Sequence, residues 1–132
     1  MLQRIIKKLK IVLIAILILT TAPVHLQRAV FYAPIKTVRF PKTIEGDQLN
    51  YRFSIKNAGD APLKIYGFEA ECTCTHVQLP PMPIEPNQSA IIDVTFDTRG
   101  KYFYQDRVIY FATNTKRKRE KLRFKVFVIP KD

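Results

Sequence analysis

Asn57–Thr75, NAGDAPLKIYGFEAECTCT, is the stretch whose reading decides the fold. Its first residues predict a tight turn, because Asn57 and Gly59 tolerate positive φ and Asp60 can hydrogen-bond its own backbone. Pro62 fixes an extended conformation after the turn, and Leu63, Ile65, Tyr66 and Phe68 make a β-prone run. Gly67 inside that run marks a bulge or twist point. The stretch ends on Cys72 and Cys74, the only two cysteines of the chain.

Outward from this segment the period is two. Upstream, Leu49, Tyr51, Phe53 and Ile55 alternate with Asn50, Arg52, Ser54 and Lys56, the pattern of a half-buried strand. A short first strand, Lys36–Phe40, is stopped by Pro41, and Glu45-Gly46-Asp47 is a turn. Downstream, Cys72–Leu79 reads as a short strand ended by Pro80, Pro81 and Pro83, a cluster that cannot sit in a central ladder. Ile84-Glu85-Pro86-Asn87 turns the chain into Ile92, Val94 and Phe96, and Thr98-Arg99-Gly100-Lys101 turns it into Tyr102–Thr113. After a turn at Asn114–Lys118, Leu122, Phe124, Val126 and Val128 alternate with Arg123, Lys125 and Phe127. About seven strands in some hundred residues, with no amphipathic helix among them, predict an all-β, Ig-like β-sandwich.

The chain has 132 residues, 47% of them hydrophobic and 25% charged, a globular balance that excludes wholesale disorder. Its net charge of +11 is uneven. Arg4, Lys7, Lys8 and Lys10 carry four of those charges ahead of the apolar run Ile11–Leu19, leaving +7 for the remainder. A basic start followed by an apolar run is the layout of an export signal or signal anchor. Ile5–Val24 is long enough to cross a bilayer if the lysines snorkel. The small residues Ala22 and Ala33 precede prolines, and Gln27 is bulky at minus three from Ala29. These features favour an uncleaved single-pass anchor over a cleaved signal. The positive-inside bias then places the domain outside the cytoplasm, at the periplasmic face of the inner membrane, or secreted if cleavage occurs. The expected organisation is therefore residues 1–24 as anchor or signal, 25–34 as spacer and 35–130 as sandwich.

From about Lys36 to Val128 the chain resembles the bacterial domain-of-unknown-function family numbered 1573. The resemblance is carried by Asn57, Gly59, Pro62, Leu63, Cys72, Cys74, Thr75, Ile84, Pro86, Phe96 and Asp97, in the family's order and spacing. Thr73 and Asn87 stand where that family has glycine; Asn accepts the left-handed conformation, whereas Thr at position 73 is stiff. The resemblance implies an exported Ig-like domain and brings no activity with it.

Candidate chemistry is sparse. On one extended strand, Cys72, Cys74 and His76 would share a face. The favoured reading is two small buried apolar thiols. An intrachain disulfide meets a Cα separation of roughly 6.5–7 Å in a strand, at the far edge of disulfide geometry. A soft-metal site for copper or zinc, and an intermolecular disulfide or thiol exchange, stay open. The basic run Lys116, Arg117, Lys118, Arg119 and Lys121, with Arg123 and Lys125 beyond it, suits an anionic lipid or an acidic surface, and otherwise a solvated hairpin tip. The histidines are His25 and His76 and the serines Ser54 and Ser89, with no triad pattern among them. Glu69 and Glu71 read as a solvated pair rather than an acid–base couple. The expected function is that of a membrane-anchored, non-catalytic binding module contacting envelope proteins, with no nucleic-acid partner. Its contact patches would be Cys72–His76 with the Pro80–Pro83 loop, and the basic hairpin.

Overall fold

A computed structural model describes residues 1–19 and 23–132. Helix α1 spans Leu2–Leu19. Among the described residues nine strands follow: β1 (Phe31–Tyr32), β2 (Thr37–Arg39), β3 (Thr43–Ile44), β4 (Gln48–Asn57), β5 (Ile65–Ala70), β6 (Thr75–Gln78), β7 (Ser89–Asp97), β8 (Phe103–Thr113) and β9 (Arg119–Ile129). They build two sheets, β1-β4-β7-β6 and β2-β9-β8-β5, with β3 also on β9. This is the all-β sandwich that the alternation predicts.

The long strands obey their binary pattern. Phe53 and Ile55 on β4, Ile92, Val94 and Phe96 on β7, Ile109 and Phe111 on β8, and Leu122, Phe124, Val126 and Val128 on β9 are all buried. Burying such side chains stabilises the fold by about 1.5–3 kcal/mol each. Phe96 and Phe124, from opposite sheets, meet at 5.0 Å between ring centroids. Phe31 stacks on Phe111 across the same interior at 6.2 Å.

Two segments differ from expectation. Residues 25–34, expected to be a spacer, belong to the sandwich: Ala29, Phe31 and Ala33 are buried, and Phe31 pairs with Asn57 in the first sheet. After Pro34 the chain crosses to the second sheet, where β2 runs parallel to β9, so one edge of the sandwich is shared between its layers. A two-residue strand beside a proline carries no periodic signal, which is why the segment reads as a linker. The strand expected over Cys72–Leu79 begins only at Thr75, with Glu71–Cys74 forming a turn. The bulge expected at Gly67 is present, as a register shift between Ile65 and Gly67 against β8.

Of the stretch Ile5–Val24 expected to cross a bilayer, residues 20–22 lie outside the described residues. Among the described residues no helix is long and apolar enough to cross a membrane. Arg4, Lys7, Lys8 and Lys10 all fall within α1, and the side chains from Leu2 to Ile16 are exposed.

Candidate functional site

The sandwich has two ends with different contents. At the upper end, Asn57 is fully buried and uses every polar atom of its side chain. Its amide donates to the carbonyls of Ala61 (2.7 Å) and Ile84 (2.8 Å). Its Oδ1 accepts from the backbone N–H of Gly59 (3.0 Å) and Val30 (3.2 Å). One side chain therefore ties together the segment before β1, the β4–β5 turn and the loop before β7. Gly59 is needed because a Cβ there would lie 2.0 Å from the Arg28 carbonyl oxygen. Leu63 and Ile84 exchange backbone hydrogen bonds beneath, and Asn87 turns the chain at φ 64°. The residue that replaces glycine in the motif thus does adopt the left-handed conformation. These motif residues hold the fold together; none presents chemistry to solvent.

The cysteines lie at the lower end. Cys72 and Cys74 are joined to one another as a disulfide across the turn, with Cα atoms 5.2 Å apart. The reading as free buried thiols is corrected by this bond. The expected strand spacing does not apply, because the turn brings the two residues closer than an extended chain would. The soft-metal arrangement calls for two free thiolates beside His76; here both sulfurs are engaged in the bond and pack against the core, and His76 is exposed on β6. Among the described residues no group of three His, Cys, Asp or Glu side chains could hold a metal ion. The turn is fastened to β7 by Asp97 N–H donating to the Cys74 carbonyl at 2.9 Å. Strand β6 lies between this turn and the Pro80–Pro83 loop, the two parts of the expected patch.

The basic run forms the tip of the β8–β9 hairpin, and its members divide. Arg119 is committed: its guanidinium donates to Glu69 at 2.8 Å and stacks on Tyr110 at 3.8 Å. Arg123 grips Asp106 with two hydrogen bonds of 2.6 Å, and Lys125 adds a third cationic contact at 3.3 Å. The Arg123 guanidinium, ahead of the other causes, holds the Asp106 carboxyl below its ordinary range. Lys116, Arg117, Lys118 and Lys121 are exposed and, among the described residues, have no acidic partner. Glu120, the one acid inside the run, is buried and accepts the Thr115 hydroxyl at 3.0 Å.

Sequence reasoning passed over the free edge of β5. Tyr66 is 67% exposed and Phe68 40%. A shallow depression joins Ile65 and Tyr66 to Pro80, Pro81 and Met82, and Met82 is 75% exposed. The signal was the bulge at Gly67, which turns Tyr66 out of alternation. The depressions at β5 and beside Leu26–Ala29, of 290 and 320 Å³, lie at the lower end of the size range for small-molecule sites. His25 bonds Asp60, His76 faces solvent, and neither histidine hydrogen-bonds a serine among the described residues.

Residues 33–128 match the family described as a protein of unknown function, DUF1573. The chain belongs to the DUF1573 family. No functionally curated protein matches its sequence. Among solved structures it is similar to a protein of unknown function from Porphyromonas gingivalis W83, with TM-score 0.68 and 14% identity over 81% of this chain and 51% of that one. It spans only about half the length of that relative. It is also similar to the ASH / PapD-like domain 7 of human CEP192, with TM-score 0.60 and 13% identity, covering 85% of this chain and 93% of that one. The YadV chaperone follows at TM-score 0.51 and 14% identity, covering 80% and 53%. At these identities the likeness is one of fold.

Proposed function

We propose that this DUF1573 chain is a non-catalytic binding module, held at the inner membrane by its N-terminal segment, whose β5 edge takes up an extended segment of another envelope protein. The free edge carries this reading. β5 offers six residues and, among the described residues, pairs only with β8, whereas the other edge strands β1, β2, β3 and β6 are two to four residues long. An unpaired edge supplies main-chain donors and acceptors, and pockets beside it select alternate side chains. Tyr66, Phe68 and Met82 provide the apolar contacts expected at the centre of such an interface. The fold neighbours include PapD-like domains and a chaperone, a likeness compatible with binding and silent on the partner.

The test is a photo-crosslinking residue placed at Tyr66, with Asn50 on the outer face of β4 as the control position, in intact cells. A discrete adduct from position 66 that disappears with Met82→Lys, and is absent from position 50, is the expected result. Equal labelling from both positions would remove β5 as the binding edge.

A further inference from the structure

The upper end of the sandwich gathers positive charge where the chain leaves for α1. His25 bonds Asp60, and the Arg28 N–H donates to the same carboxylate at 2.6 Å. Asp60 and Ala61 return hydrogen bonds to the Arg28 carbonyl. Residues 25–30 are thereby fixed against the β4–β5 turn. Leu26, Gln27 and Arg28 line one depression together with Asn114 and Lys116. Val30 and Lys36 line another with Lys116 and Arg117. The hairpin tip and the outgoing chain are therefore neighbours. From Leu19 to the anchored His25 there are six residue steps, a reach of at most about 20 Å.

Those steps lead back to a helix whose described apolar side chains are exposed. Leu9, Ile11, Leu13, Ile14 and Ile16 are each more than half exposed. Whatever covers α1 must accept its four cations as well as its apolar length, and a phospholipid bilayer does both. The bilayer would then lie within reach of Arg28, Lys116, Arg117 and Lys118, all exposed and without acidic partners among the described residues. Surface lysine and arginine clusters beside a membrane segment bind anionic headgroups through the surface potential, which acts over roughly a Debye length of about 8–10 Å.

We infer that the upper end of the sandwich, through Arg28, Lys116, Arg117 and Lys118, docks on the anionic headgroups of the bilayer that holds α1. This rests on the membrane-anchor reading and adds an orientation to it: β strands stand over the membrane with the disulfide end outward. The docked end would leave β5 facing sideways and available.

The full chain, reconstituted in phosphatidylcholine vesicles with and without phosphatidylglycerol, tests it. A fluorophore on a non-cysteine label at Ala58 reports the upper end, and one at Lys131 reports the lower end, against a quencher on the lipid headgroups. Expected is stronger quenching at Ala58 when phosphatidylglycerol is present, with Lys131 unchanged. That gain should fall roughly a fewfold for each charge removed, and vanish in high salt. The variant Lys116→Ser, Arg117→Ser, Lys118→Asn abolishes it; asparagine suits position 118, where φ is 60°. The paired change Lys116→Arg with Lys118→Arg keeps it. If the chain floats with vesicles but Ala58 is quenched alike in both lipids, or the triple variant changes nothing, the docking is wrong while the anchor stands. A chain that does not float with either vesicle overturns both. Gain of quenching only on adding an acidic protein would replace the lipid with a protein surface.

Discussion

Each end of the sandwich is closed by one fully buried polar side chain, yet the two closures are built differently. At the upper end Asn57 makes four hydrogen bonds to three separate chain segments. At the lower end Thr98 donates its hydroxyl to the Asp47 carbonyl at 2.7 Å, with a longer contact to Ile44 at 3.3 Å. The Asp47 carbonyl also receives the Thr98 backbone N–H at 3.1 Å. At the lower end the Thr98 backbone thus serves the same carbonyl as its hydroxyl, whereas at the upper end three of the four groups that Asn57 serves, the Val30 and Gly59 N–H groups and the Ala61 carbonyl, have no second partner among the described residues. Asn57→Ala leaves the Val30 and Gly59 N–H groups and the Ala61 carbonyl unpaired, while the Ile84 carbonyl keeps the Leu63 N–H, and each unmet buried group costs about 1–3 kcal/mol. A loss of about 3 kcal/mol or more is expected in urea unfolding, a large share of the roughly 5–15 kcal/mol of a small domain. Gly59→Ala attacks the same closure sterically and should release residues 25–32, read as loss of amide protection at Val30. A variant unfolding at the wild-type urea midpoint would show that the upper end does not depend on this side chain.

Thr98→Val keeps shape and removes only the hydroxyl. Because the backbone N–H of residue 98 still serves the Asp47 carbonyl, the expected cost is smaller, about 1 kcal/mol. The comparison breaks if Thr98→Val costs as much as Asn57→Ala, since redundancy would then count for nothing. It sharpens if adding Gly59→Ala to Asn57→Ala costs little more than either change alone, the coupling expected of residues sharing one closure.

What was legible follows from the same distinction. Apolar and polar residues alternate at period two from Gln48 to Lys56 in β4, from Ile92 to Asp97 in β7 and from Lys121 to Val126 in β9, and burial enforces that pattern. Phe31 and Thr43 are buried with equal strictness, but their strands are two residues long and exist only because a distant segment lies alongside. Asn57 and Gly59 stood out as a turn, and the turn is there; nothing local reveals that Asn57 reaches Val30 and Ile84. The cysteines misled because Thr73 and Thr75 favour a strand, whereas the disulfide and the bond from Asp97 to Cys74 hold a turn. In the hairpin, the run of cations is plain in sequence. Its division into the committed Arg119 and the unpartnered Lys116, Arg117 and Lys118 depends on Tyr110 across the hairpin and on Glu69, contributed by β5 far back in the chain.

The smallest expected effect separates the ends by acid. Asp60 accepts the Arg28 N–H first and the His25 ring second, and both hold its carboxyl below the ordinary range. Asp47, at the lower end, is lowered chiefly by the Thr43 hydroxyl and then by the Ile44 N–H. A carboxyl with a depressed folded-state pKa contributes its full stabilisation above the unfolded value of about 3.9 and loses it as pH falls through the folded value. Both groups are exposed, so the whole fold should tolerate the change and only the local bonds should open. Amide exchange at Arg28 and Ile44, whose N–H groups donate to these carboxylates, should lose protection below about pH 4 while Phe53 in mid-strand keeps its own. Asp60→Asn should remove the acid response at Arg28 and leave Ile44 responding. If Arg28 stays protected to the lowest pH at which the fold survives, the N-terminal segment is held by Asn57 and by the backbone bonds of Ala58, Asp60 and Ala61, and the carboxylate at the upper end is incidental.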